Sequence, residues 1–170
     1  MKLVGQFLAI VACVNFFTSV VGFPNGAPTS SCANLTPTHM KNGSPISPQP
    51  DSSFPFNLSS TAIENEDKIK LGDPITLKLT SNFQGFLIEA RQGDSSVGTF
   101  DVLGDANIQT IDCGNGQKNA ITHTNPTVKP SISAKWTPPS DFDHLKGSVE
   151  FHVTVAQTHD VFWVNHVVAV

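Results

Sequence analysis

Six histidines, three cysteines and one arginine carry most of the chemistry this 170-residue chain could perform. His152, His159 and His166 repeat every seven residues. On strands an odd offset sends successive side chains to opposite faces, so this spacing does not gather them around one metal ion. His39 follows Cys32 within a proline-rich stretch. It can serve as a hydrogen-bonding post that holds that stretch near the cysteine, or as a ligand contact, and the structural role takes precedence. Arg91 ends the run Phe86-Leu87-Ile88-Glu89-Ala90-Arg91. Its guanidinium can pair with Glu89 or a loop carboxylate, or grip phosphate and carboxylate groups of a ligand. Phe83, Phe86 and Phe142 sit where the chain is expected to turn. There an aromatic ring either plugs the end of a core or stacks on sugar or acyl chains. The acidic stretch from Asp101 to Asp112 lacks the oxygen spacing, central glycine and terminal glutamate of a calcium-binding hand loop, and reads as solvated turn. The chain has no nucleophile elbow, phosphate loop, dinucleotide fingerprint or His-Glu-x-x-His helix. The expectation is a protein that binds rather than catalyses, with no metal and no cofactor.

The elements that would position these groups follow from what precedes and separates them. Residues 1–22 have the form of a secretory leader: Lys2, an apolar core from Leu3 to Phe17, and small residues Val20 and Gly22 before a cut near Phe23. Asn15, Thr18 and Ser19 interrupt the run before it reaches the ~20 apolar residues of a membrane span. Val161–Val170 is too short and too polar to cross a bilayer, and no lipid-anchor signal ends the chain. The expected product is secreted and extracellular. Losing Lys2 with the leader takes the formal charge from −4 to −5, which disfavours nucleic acid and the cationic, membrane-lysing mode of many antimicrobial peptides. Cys13 is lost too, leaving Cys32 and Cys113 as an even pair in an oxidising compartment, and hence one disulfide.

Residues 23–170 suit a single domain. Its first part, to about residue 60, is rich in Pro and Ser, with prolines at 24, 28, 37, 45, 48, 50 and 55. Proline lacks the donor a helix interior or central strand requires, so an extended arm lying over the body is expected. Asn34, Asn42 and Asn57 each open a glycosylation sequon in this arm. The body, residues 61–170, alternates short apolar and polar runs between Gly, Pro, Asn and Asp clusters. Strands are expected at 75–80, 86–91, 97–102, 108–112, 120–124, 132–136, 149–155 and 161–168. Ile75, Leu77 and Leu79 share one face, and Val149, Phe151, Val153 and Val155 another. Seven or eight short strands without helical periodicity make an all-β, immunoglobulin-like two-sheet sandwich, with Trp136 and Trp163 in or near its core.

An ordered set of motifs goes further: Cys32 with Pro37-Thr38-His39, then Phe83-Gln84-Gly85-Phe86 leading to Arg91. After these come Val97-Gly98-Thr99-Phe100, Trp136 with Pro138, Gly147-Ser148-Val149-Glu150-Phe151 and Phe162-Trp163-Val164. Taken together they resemble the reeler domain, in the short insect form of the defence and nodulation proteins, over roughly residues 32–165. The resemblance implies an immunoglobulin-like sandwich. It also implies a secreted blood factor that binds microbial surface glycolipids or glycans, promotes clearance by blood cells through nodule formation, and has antibacterial action. Reeler domains also open large matrix proteins, which implies an alternative as an adhesion module; Lys68, Lys70 and Lys78 are the basic residues nearest to a heparin patch. A third setting, ahead of a haem-bearing bundle in ferric-chelate reductases, would need membrane helices that this chain does not encode.

Overall fold

The computed structural model describes residues 23–61, 74–142 and 147–169. The leader at 1–22 and Lys68 and Lys70 lie outside the described residues.

A short hairpin, β1 (Met40–Lys41) and β2 (Ser44–Pro45), projects from the arm around the Asn42-Gly43 turn, both residues at positive φ. Four strands form one sheet in the order β3 (Asn57–Ser60), β4 (Ile75–Phe83), β10 (Lys129–Thr137), β7 (Thr99–Asp101). The second sheet runs β12 (Phe162–Ala169), β11 (Glu150–Ala156), β5 (Gly85–Gln92), β9 (Ala120–His123), β8 (Ile108–Ile111), and the two-residue β6 (Ser95–Ser96) also pairs with β5. All the pairings are antiparallel and neither sheet closes.

Eight strand regions were expected, and each contains strand. Two differences have physical causes. The arm is shorter than expected, because Asn57–Ser60 pairs with β4 in register with Thr80 to Leu77 and buries Leu58 and Ser60. The strand expected at 97–102 is shorter, only β7 in the four-stranded sheet, and a break separates it from the preceding β6, which pairs in the six-stranded one. The break is at Gly98, φ 71°, where an added Cβ would lie 2.5 Å from Trp136 ring atoms and from the Thr137 carbonyl. Trp136 fills that corner and donates its indole N–H to the Val97 carbonyl at 3.0 Å.

The core between the sheets is built from alternate residues: Ile75, Leu77 and Leu79 of β4, Ile132, Ala134 and Trp136 of β10, Phe86, Ile88 and Ala90 of β5, and Phe151, Val153 and Val155 of β11. Aromatic edges link the layers. Phe56 meets Phe83 and Trp163, Phe83 meets Phe86, and Trp136 meets Phe151 at 5.5 Å.

The outer face of the six-stranded sheet is covered as well, by the arm. Cys32, Leu35, Leu87, Cys113 and Ala120 form a second, smaller core there, with Ala27 and Ile111 packed against it. A sheet buried on both faces reads as continuous apolar sequence, which is why β5 lacks clean alternation.

Gly98→Ala is expected to destabilise the fold by about 3 kcal/mol, because it adds left-handed backbone strain to overpacking against Trp136. Urea denaturation followed by tryptophan fluorescence measures this, and an unchanged midpoint would show that the sheet switch does not depend on a bare Cα.

Candidate functional site

The arm reaches the outer face of the sheet because the sheet supplies partners for its backbone. The Cys32–Cys113 disulfide, closing 81 residues, joins the arm to the segment between β8 and β9. A loop of that length is worth about 4 kcal/mol in the chain-entropy model. Asn119, buried, holds Cys113 from both sides: its Oδ1 accepts from the Cys113 N–H at 2.7 Å and its Nδ2 donates to the Cys113 carbonyl at 2.8 Å. Further along the arm, Ala27 N–H donates to Thr122 Oγ1 at 2.9 Å, and the Thr154 hydroxyl donates to the Leu35 carbonyl at 2.7 Å. Thr154 lies on the face of β11 opposite the core-facing Val153 and Val155. That face is beneath the arm, and Thr154 Oγ1 also accepts from Asn165 N–H where the β11–β12 register shifts.

Arg91 and Glu89 are two apart on β5 and therefore share this covered face. Arg91 Nε and Nη2 donate to Glu89 Oε2 at 2.9 and 2.7 Å, and Nη2 also donates to the Cys32 carbonyl at 2.7 Å. Glu89 is only 2% exposed. Of the two roles open to Arg91 from sequence, the geometry carries the structural one, as a clamp between sheet and arm. Phe83 and Phe142 are also corrected as ligand-contact candidates. They are 0% and 6% exposed and belong to the main core, because a corner ring closes the end of a sandwich more favourably than it meets water.

His39 and Phe86, by contrast, come together. Between the arm and the six-stranded sheet lies a cleft of about 260 Å³, with Pro24, Pro28, Leu35, Phe86, His39 and His123 among its lining residues. Phe86 serves both sides, with its ring in the main core and part of the residue on the cleft wall.

His123, on β9, was not singled out from sequence. Its ring lies over Gly85, where an added Cβ would come within 3.0 Å of it. Its Nδ1 accepts from the Phe86 N–H at 3.2 Å, which places the proton of the neutral ring on Nε2, facing the Phe23 carbonyl at 3.1 Å. The glycine between Phe83 and Phe86 was the available signal, since it marks a corner where something approaches closely, although what approaches was not readable.

His39 secures the arm to the β11–β12 loop rather than to the disulfide. Its ring stacks on His159 at 4.6 Å and meets Phe162 edge-on at 4.9 Å, while its Nδ1 is buried without a hydrogen-bond partner. Burial holds the pKa of His39 below its ordinary value, and the nearby His159 adds to that shift. Burial likewise depresses the pKa of His123. Both rings are therefore neutral at pH 7.

Lys129, also missed, caps the corner below His123. Its Nζ donates to the Gln84, Asn125 and Thr127 carbonyls at 2.9, 2.7 and 2.8 Å, and desolvation lowers its pKa. His152, His159 and His166 do not converge; each meets its own partner, Asn165, Asp160 and Asp51 respectively. Among the described residues no three His, Cys, Asp or Glu side chains are grouped to hold a metal ion, and no helix is long and apolar enough to cross a membrane. Asn34, Asn42 and Asn57 are all exposed.

A two-sheet sandwich is the fold that the reeler resemblance implied. The Reeler domain family matches residues 30–169, and the chain belongs to that family. It is 35% identical to "Putative defense protein 3" of Antheraea mylitta, over 94% of this chain and 91% of that protein. It is 34% identical to "Defense protein l(2)34Fc" of Drosophila melanogaster, over 95% and 94%. "Putative ferric-chelate reductase 1" of Danio rerio is 34% identical over 89% of this chain, but over only 25% of its own length. Among solved structures, the Reelin-N domain of F-spondin matches with a TM-score of 0.54 at 20% identity, over 68% of this chain and 83% of that one, a likeness of fold.

Two expectations follow. Arg91→Met should cost about 3 kcal/mol by leaving the buried Glu89 carboxylate unpaired, and adding Glu89→Gln should recover more than half of that in chemical denaturation. A stable single variant that fails only in ligand binding would return Arg91 to the recognition role. In the pH dependence of folding, His39 and His123 titrate near 6.5 when unfolded and lower when folded, so the unfolded chain binds more protons between those values. Their contribution is undiminished above pH 6.5, falls as pH drops through the folded pKa values, and then levels off. His39→Phe should flatten part of that slope in pH-dependent thermal melts.

Proposed function

We propose that this protein is a secreted, non-enzymatic factor of innate defence that binds microbial surface glycolipids or glycans and promotes antibacterial clearance, including nodule formation by blood cells. The observation that carries this reading is the two-way coverage of the insect relatives. Proteins named for defence match this chain over more than nine-tenths of both lengths, whereas the reductase relative shares only a quarter of its own. The chemistry of the unshared three-quarters therefore gives no ground for a reductase reading. A fold alone does not set function. The likeness to F-spondin structures, at 20% identity, concerns fold and gives the adhesion alternative less support than the defence relatives give this one.

The architecture suits work outside the cell. A disulfide and a doubly covered sheet stiffen the body, and the exposed sequons at Asn34, Asn42 and Asn57 are open to glycosylation. Asn34 lies in a local turn, with its Oδ1 accepting from the Thr36 N–H at 3.0 Å, and borders the covered face at Leu35.

Protein purified from the medium of a secretory host should be retained on intact bacteria and on immobilised lipopolysaccharide, lipoteichoic acid or β-glucan, above an unrelated β-sandwich of similar charge. Retention no greater than that control on all of these surfaces, together with retention on heparin at physiological salt, would replace this reading with the adhesion one.

A further inference from the structure

Two properties of the cleft under the arm together specify a ligand chemistry. Its size comes first. At about 260 Å³ it exceeds the ~150 Å³ apolar cavity that stays dry and takes up benzene, and it lies just below the ~300–1,000 Å³ of clefts that enclose drug-sized ligands. It suits a slender chain or a small molecule rather than a protein.

Its lining comes second. Pro24, Pro28, Leu35, Leu87 and Ala156 present hydrocarbon from both the arm and the sheet. The charges nearby are already matched: Lys41 pairs with Asp160, and Lys129 donates to three carbonyls. A buried anion would find no uncommitted ammonium there.

We infer that this cleft binds a neutral alkyl or acyl chain. On the function proposed above, on which this identification of the source rests, the chain is an acyl tail of a microbial surface amphiphile.

A consequence is coupling to protons. Filling the cleft with hydrocarbon dries His39 and His123 further, so the ligand favours their neutral forms. The charges that bear on His39 are His159, Asp160 and His123, and the one that bears on His123 is Lys129. Asp160 alone among them favours protonation of His39, and it is already shared with Lys41 and His159. Affinity should hold at neutral pH and fall by up to about tenfold per pH unit for each histidine below its free-state pKa.

The test titrates the disulfide-bonded protein with N-phenyl-1-naphthylamine, a neutral fluorescent probe, and displaces it with straight-chain alcohols of increasing length. One saturable site is expected, with affinity rising about fourfold per added methylene until the cleft is full and then reaching a plateau. Histidine ring signals in NMR should place the bound alcohol at His39 and His123 and show their pKa values falling on binding. Ala156→Phe, whose added ring would project from a cleft-lining position, should weaken binding at least tenfold. If that variant does not fold, the NMR map decides alone. Affinity that ignores chain length, or perturbation confined to other histidines, would overturn the inference. Displacement of the probe by lipopolysaccharide but not by phosphatidylcholine vesicles supports the microbial source, and the reverse overturns it. Bacteria that bind while the probe does not would sink the cleft and spare the defence function. A cleft that fills in a protein that binds no microbe would do the opposite.

Discussion

The structure depends on one constraint: the outer face of the six-stranded sheet carries apolar residues, Leu87 and Ala120 among them, and the chain's own proline-rich arm covers them. A proline-rich segment brings few backbone donors, and between Phe23 and Leu35 it forms no strand ladder, so its carbonyls and remaining N–H groups there must be met by the sheet. They are met by side chains. Arg91, Thr122, Thr154 and His123 each reach a backbone group between Phe23 and Leu35. The disulfide fixes the middle of that span, so the hydrogen bonds form within an already restricted loop.

Covering the sheet in this way determines what the surface can offer. Aromatic residues that would stack on a ligand if exposed are used for packing, and the chain's one guanidinium is used for closure. What remains open is the space the arm does not quite fill, at the end where the chain turns between sheets at Phe83-Gln84-Gly85. Gly85 admits the His123 ring, Lys129 holds the corner carbonyls, and His39 closes the far side against His159. The candidate site is thus a product of how the arm docks, and the polar groups that dock it also border the cleft.

Much of the architecture was legible. The alternation in β4 and β11, the turn residues between runs and the cysteine arithmetic led to an antiparallel sandwich with one bridge, because side-chain period and redox compartment are local properties. The ordered motifs led to the family, and residues 30–169 match it. The site was legible only in part. His39 and Phe86 were named, but so were Phe83 and Phe142, which the core absorbs, while His123 and Lys129 passed unremarked. A corner aromatic looks the same in sequence whether it points into the sandwich or out of it. A histidine on a short strand gives no sign of the carbonyl, a hundred residues away, that it will meet.

Strand periods, the spacing of the cysteines, the arm's shortage of backbone donors and the place of the Phe-Gln-Gly-Phe corner were fixed along the chain, since each depends on neighbours within a few residues. Which face of the sheet the arm covers, that Arg91 closes it, that Gly98 passes the chain from one sheet to the other, and that His39, His123 and Phe86 share one cleft were settled in three dimensions. Those contacts join residues tens to more than a hundred positions apart, and pairing at that range is chosen by the packing of the whole domain rather than by any local preference.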